Sequence, residues 1–222
     1  MRIHALLVSV DYADLLRQSL DRWVAGLASL IVVTAPRDEE TIALVRKVGA
    51  DLHLTEAFWE EHAHFNKARA MEEARARLSS EGWHLFIDAD VIPPVDWLAQ
   101  LEAAAPTPGT LHGARRVFED GRPLPDHELA GFFQLFHSSD PRATRPLDRD
   151  WLHGGNYDST FMGRWPAELQ RILDLTLVHL GEPGQNWCGR GNDEAMRKIR
   201  ERRRSRPWQS ETVHGKYYQR QR

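Results

Sequence analysis

Two carboxylates one residue apart, Asp88 and Asp90, close the apolar run Leu85-Phe86-Ile87, and Pro93-Pro94 follows shortly after. The run calls for burial in a sheet. Burying two free carboxylates beside it would cost on the order of several kcal/mol without a compensating cation. Side chains two apart on a strand point the same way. At a strand end both aspartates can therefore reach one hard divalent ion and the phosphate oxygens it carries. A turn with two solvated aspartates uses the same residues, so the surrounding elements must decide.

Those elements are legible in the first half. Residues 3–10 form an apolar strand, and Leu16, Leu20, Trp23, Val24 and Leu27 then recur at helical spacing. Leu30-Ile31-Val32-Val33 is a second strand ending at Thr34-Ala35-Pro36. A helix with Ile42, Val45 and Val48 on one face stops at Gly49. A short third strand at 51–54 precedes a helix predicted over 60–78, and the strand of the Asp-x-Asp segment comes next. Strands and helices in this alternation predict an α/β fold with a parallel sheet covered on both faces. Ligands of such sheets bind outside the carboxyl ends of the strands, where Asp11, Thr34, Thr55, Asp88 and Asp90 all fall.

The second half reads differently. Leu111–Phe118 and residues 129–137 are predicted strands joined by a turn-rich segment, a small antiparallel excursion. A Pro- and Arg-rich loop leads to Gly154-Gly155 and a short helix near 156–165. A further strand at 174–180 runs into a Gly-rich loop at 181–191, and Asn192 then caps a final helix whose end is loaded with arginine. His62 and His64 sit two apart on a predicted helix and so face apart, which argues against a zinc site there.

Cys188 is the lone cysteine, so neither an intrachain disulfide nor a cysteine-based zinc site can form. No apolar run is long enough to cross a membrane, which places the expected location in the cytoplasm. The net charge of −3 conceals an asymmetry: from 197 to 222 there are ten Lys or Arg against two Glu, leaving minus eleven for the remainder. The split predicts a basic extension, 192–222, that touches nucleic acid or an anionic membrane surface.

The order of these features resembles the nucleotide-sugar glycosyltransferases of the GT-A fold, family 2-like. The resemblance covers about 3–190 and is most specific at Phe65-Asn66-Lys67-Ala68-Arg69-Ala70, followed after one helix by Leu85-Phe86-Ile87-Asp88-Ala89-Asp90. It implies a Rossmann-like GT-A domain over 1–191, with a donor-binding half at 1–105 and an acceptor half at 106–191. It also implies Mn2+ or Mg2+ with a UDP-sugar donor. Asp90 would ligate the metal directly and Asp88 would contact ribose or metal. His179, closing Leu177-Val178-His179, would complete the metal site. Lys67 and Arg69 would add phosphate contacts, as would Arg190 on a flap over 181–191. Asp11 and Asp38, with Thr34, lie where the nucleobase would be read. Asp158 is the expected general base of an inverting reaction, with Asp193 as its rival, since Tyr157-Asp158 replaces the family's usual Glu-Asp pair.

The acceptor is expected from the tail. Arg202, Arg203, Arg204 and Arg206, with Trp208, Tyr217 and Tyr218 beyond, suit phosphate contact and base stacking. The resulting expectation is transfer to a hydroxymethylated base in DNA, as in phage-type DNA modification, in a host cytoplasm if phage-encoded. A saccharide, lipid or protein acceptor stays open. So do a nucleotidyltransferase, against which the lack of a Gly-rich loop after the first strand argues, and a non-catalytic nucleic-acid binder.

Overall fold

β1 (Ile3–Val8) is buried along its whole length, and its alternate side chains divide between two cores. Ile3, Ala5 and Leu7 join one, Leu6 and Val8 the other. That division requires layers on both faces of the sheet. In the computed structural model, which describes residues 1–123, 129, 131–149, 153–155, 157–181 and 197, helices supply both. Helix α1 (Ala13–Gly26) buries Leu16, Leu20 and Trp23 on one face of the sheet. On that face too lies Val45 of α2 (Glu39–Val48). The opposite face is covered by Ala68, Ala70, Met71 and Ala74 of α3 (Lys67–Arg75) and by Tyr157 and Phe161 of α5 (Tyr157–Met162).

β1 pairs in parallel with β2 (Ser29–Thr34) on one side and with β4 (Trp83–Asp88) on the other, while β3 (Asp51–Leu54) extends the sheet beyond β2. Past β4 the sheet continues through β7 (Phe133–His137), β6 (Leu111–Phe118), β8 (Gln170–His179) and the two-residue β5 (Val91–Ile92). β7 is antiparallel to both β4 and β6, whereas β6 and β8 run parallel. The antiparallel excursion expected from the sequence is thus inserted into the main sheet, and the mostly parallel α/β architecture holds.

Three details differ from the sequence expectation. The helix predicted over 60–78 contracts to α3. Glu61 and His62 have φ of 54° and 63°, which no continuous helix accommodates, and Asn66 caps the helix start instead by accepting from the Arg69 N–H at 3.0 Å. β7 begins at Phe133 rather than 129, and β8 begins at Gln170 rather than 174. Neither β5 nor α4 (Trp97–Ala103) was expected, because Pro93-Pro94 argues against regular structure on both sides of it. The predicted helix and tail at 192–222, apart from Arg197, lie outside the described residues. No helix among the described residues is long and apolar enough to cross a membrane.

Candidate active site

The Asp-x-Asp segment is fixed from three directions. Asp88 ends β4 level with Val8 of β1, and its N–H approaches the Phe132 carbonyl at 3.4 Å. From α1, Trp23 Nε1 donates to Val91 O at 3.3 Å and Arg22 Nη1 to Pro93 O at 3.0 Å. The Leu180 N–H donates to Asp90 O at 2.7 Å. β5 and β8 then pair Val91 with His179, so this register brings a histidine from the last described strand beside Asp90.

Asp90 and His179 form the least satisfied polar pair of the site. Asp90 Oδ1 is buried without a hydrogen-bond partner. Its Oδ2 lies 3.8 Å from His179 Nε2, too far for a hydrogen bond. His179 Nδ1 is 2.9 Å from the Leu180 carbonyl. A carbonyl only accepts, so Nδ1 carries a proton, and Nε2 is the ring nitrogen that faces Asp90. A backbone acceptor on the far nitrogen is how metal-bound imidazoles are oriented. Burial raises the Asp90 pKa, with Asp88 adding to the rise while His179, Lys67 and Arg116 oppose it. A carboxylate oxygen without a partner among the described residues, beside an imidazole nitrogen, is a donor set that fits a divalent cation. No group of three His, Cys, Asp or Glu side chains suited to a metal gathers among the described residues. Two protein ligands are nonetheless usual where substrate phosphates supply the other oxygens.

Asp88 is engaged differently. Lys67 Nζ donates to its Oδ1, and the ammonium sits 5.2 Å from the centroid of the Tyr157 ring. Burial alone would lower the Lys67 pKa, but Asp88 and Tyr157 outweigh it, so Lys67 stays protonated with its pKa raised. Burial likewise raises the Tyr157 pKa. The Tyr157 hydroxyl has no hydrogen-bond partner among the described residues. Asp158 follows in the first turn of α5. Its Oδ2 accepts from the Gly131 N–H and its Oδ1 from the Ser159 N–H, both at 2.9 Å. These bonds orient the carboxylate and leave about two of its four acceptor directions open. A side chain at Gly131 would bring a Cβ to within 2.9 Å of both Asp158 Cβ and the Tyr157 hydroxyl, so the close approach of α5 depends on that glycine.

The remaining expected residues separate into groups. Asp11, Thr34 and Asp38 do come together, at the ends of β1 and β2. Asp38 Oδ2 accepts from the Asp11 N–H at 2.8 Å and the Thr34 hydroxyl at 2.9 Å, while Oδ1 caps α2 through the Thr41 N–H at 3.1 Å. Asp38 thus ties two strand ends to a helix start. Asp11, at φ 60°, also accepts from Arg37, whose guanidinium lies 4.8 Å from the centroid of the Trp59 ring. Thr55 donates to Glu73 at 2.5 Å and accepts from the Ala57 N–H, a structural role. Arg69 is not brought to the aspartates. It pairs with Glu60 at 2.9 Å and Glu61 at 2.7 Å, as its position two residues from Lys67 requires. His62 and His64 gain no shared ligand geometry. Arg190, Asp193 and the arginines from Arg202 to Arg206 lie outside the described residues.

Alternation along β6 turns only one of Arg115 and Arg116 toward the aspartates. Arg116 is that one. Arg115 is exposed and pairs with Asp174 at 2.6 Å. Arg116 lies 4.4 Å from the centroid of the Phe132 ring, within the electrostatic reach of Asp88, Asp90 and Asp158.

No family model and no curated protein matches the sequence. Solved structures do match in fold. S. aureus TarS, residues 1–349, superposes with a TM-score of 0.62 at 11% identity, over 81% of this chain and 60% of that one. The chain therefore spans about 60% of that structure's length. Glucosyl-3-phosphoglycerate synthase from Mycobacterium tuberculosis, in complex with Mn2+, UDP-glucose and phosphoglyceric acid, superposes with a TM-score of 0.57 at 15% identity, over 82% of this chain and 73% of that one. The chain has the GT-A glycosyltransferase fold. Asp88, His179, Lys67 and Arg116 all lie within electrostatic reach of Asp90 at this end of the sheet.

Proposed function

We propose that the protein is a metal-dependent glycosyltransferase that takes its sugar from a nucleotide donor, UDP-linked. The observation that carries this reading is the buried Asp90 oxygen, unpaired among the described residues, beside His179 Nε2 at the strand ends of a GT-A fold. Asp90 and His179 would hold a divalent cation together with the donor's diphosphate, and the cation would supply charge stabilisation to the leaving nucleoside diphosphate. Lys67 pairs with Asp88 and places a second positive charge beside the phosphates. Arg190 belongs to the loop that would close on them. Asp11, with Thr34 and Asp38 behind it, borders the nucleobase.

The reaction proposed is inverting. Asp158 accepts the proton of the acceptor hydroxyl as its oxygen forms a bond to the anomeric carbon, and the bond from that carbon to the diphosphate oxygen breaks on the opposite side. Gly131 and Ser159 hold the carboxylate in place for this step.

For the acceptor we propose a hydroxylated base in DNA, supported by the excess of eight positive charges between 197 and 222. Duplex binding is then expected to weaken steeply with salt and to disappear on removal of 202–222, with donor hydrolysis retained. Salt-insensitive transfer to a saccharide or protein would displace this acceptor. The donor reading itself is tested by titrating UDP with and without Mn2+, then screening UDP-sugars for UDP release with Asp90→Ala as control. Absence of metal-dependent UDP binding would end the enzyme reading.

A further inference from the structure

Among the described residues, Arg116 is a cation near the aspartates whose donors are unspent. It follows a break in the β6–β8 register between Ala114 and Arg115, where Ala114 pairs with Leu173 but Arg115 with Thr176. Bulges of this kind re-aim the side chains beside them and recur next to functional sites. Phe132 covers one face of the guanidinium at 4.4 Å, leaving the edge with its N–H donors as the recognition surface. Its Nε is buried and has no partner, and Arg116 forms no ion pair within 4 Å among the described residues.

The contrast with its neighbours is informative. Arg115 reaches Asp174, Arg69 takes Glu60 and Glu61, and Lys67 takes Asp88. Arg116 feels three carboxylates, Asp88, Asp90 and Asp158, yet bonds to none of them. Burial lowers its pKa, although a guanidinium stays charged at any working pH. A half-buried charge without a bonded counterion is costly unless a ligand completes it. It lies within electrostatic reach of both the aspartates proposed to hold the metal and the aspartate proposed as base.

We propose that Arg116 is an oxyanion receptor, presenting its N–H edge to a phosphate or carboxylate group of a bound substrate. The anion comes from one of two sources: the diphosphate of the donor, or an acidic group on the acceptor beside the hydroxyl that reacts. The inference rests on the glycosyltransferase reading for its substrates, but not for the receptor itself.

The test uses the full chain with Mn2+ and three proteins, wild type, Arg116→Gln and Arg116→Lys, each checked by thermal melting. Calorimetry is run with inorganic pyrophosphate, with UDP, with uridine, and with inorganic phosphate added to UDP-loaded protein. A donor role predicts that Arg116→Gln weakens pyrophosphate and UDP about tenfold to a hundredfold, with Arg116→Lys in between and uridine unaffected. An acceptor role predicts unchanged UDP affinity and lost phosphate binding to the UDP-loaded protein. Wild type binding pyrophosphate through Arg116 but not UDP would sustain the receptor while removing the glycosyltransferase reading. Equal affinities for every probe across the three proteins would overturn the proposal, and so would a loss that includes uridine.

Discussion

Asp38 and Asp90 are both acids just beyond the carboxyl ends of β2 and β4, the strands on either side of β1, and they are treated in opposite ways. Asp38 is buried, and its carboxylate receives three hydrogen bonds, from Asp11, Thr34 and Thr41. Asp90 has a buried oxygen that receives none. Sequence alone gives both residues the same description, an acid after an apolar run. The hydrogen-bond inventory separates an aspartate that holds the fold from one held in readiness for something else.

The contrast is broken most directly at Asp38. Asp38→Ala leaves two backbone N–H groups and a hydroxyl without their acceptor, and at about 1–3 kcal/mol for each unsatisfied buried group the expected loss is about 3 kcal/mol after partial relaxation. In a chain of this size that lowers Tm by roughly 10 °C. A shift within error of wild type would mean that Asp38 does not tie the strand ends to α2. Asp90→Asn is expected to act in the other direction, raising the stability of the metal-free protein by about 1 kcal/mol by removing a poorly compensated buried charge. The same variant loses Mn2+-dependent UDP binding in calorimetry. A destabilisation matching that of Asp38→Ala would erase the distinction.

His112 offers an intermediate case, a buried imidazole whose burial disfavours its charged form. Its Nε2 accepts from the Thr107 N–H at 3.3 Å, and burial pushes its pKa down to about 4. The folded state therefore resists a proton that the unfolded chain takes up near pH 6.5. Stability is full above that pH and falls as the pH drops toward 4, by about 1 kcal/mol at pH 5 after allowance for solvent screening. His4 and His84, also lowered by burial, add to the same slope. Denaturant melts at pH 7 and pH 5 should show this loss, reduced in His112→Gln. An unchanged slope in that variant would assign the titration elsewhere. The smallest effect is expected at Arg69, whose pairs with Glu60 and Glu61 are largely exposed on the acidic side. Arg69→Gln should cost about 0.5 kcal/mol and leave UDP affinity unchanged. A tenfold loss of UDP affinity would return Arg69 to the phosphate site.

The same contrast explains what the sequence could convey. β1 to β4 and their helices were legible because each is a contiguous apolar run or a periodic stripe. α2 even carries its own punctuation, Asp38 at its start and Gly49, at φ 74°, at its end. Lys67, Asp88, Asp90 and His179 were legible through a resemblance to known spacing. The pairing of Lys67 with Asp88 was not, since it joins two elements through the fold rather than through any local pattern. β5 escaped notice because two residues before a proline pair carry no period. Arg116 stayed undecided because β6 has too few apolar residues to set the phase of its alternation. Only its stacking on Phe132, a residue from a different segment, resolves that phase.

The pairing of Val91 with His179 also has a bearing on the order in which the molecule becomes competent. β5 is two residues long, and its partner β8 is the last strand described. A growing chain can complete the four parallel strands of its first half before β8 exists, but it has no histidine to set beside Asp90 until then. The Asp90–His179 pairing is thus a late checkpoint: a partly made or partly folded chain would carry the parallel strands without it, and only the addition of β8 brings the histidine in.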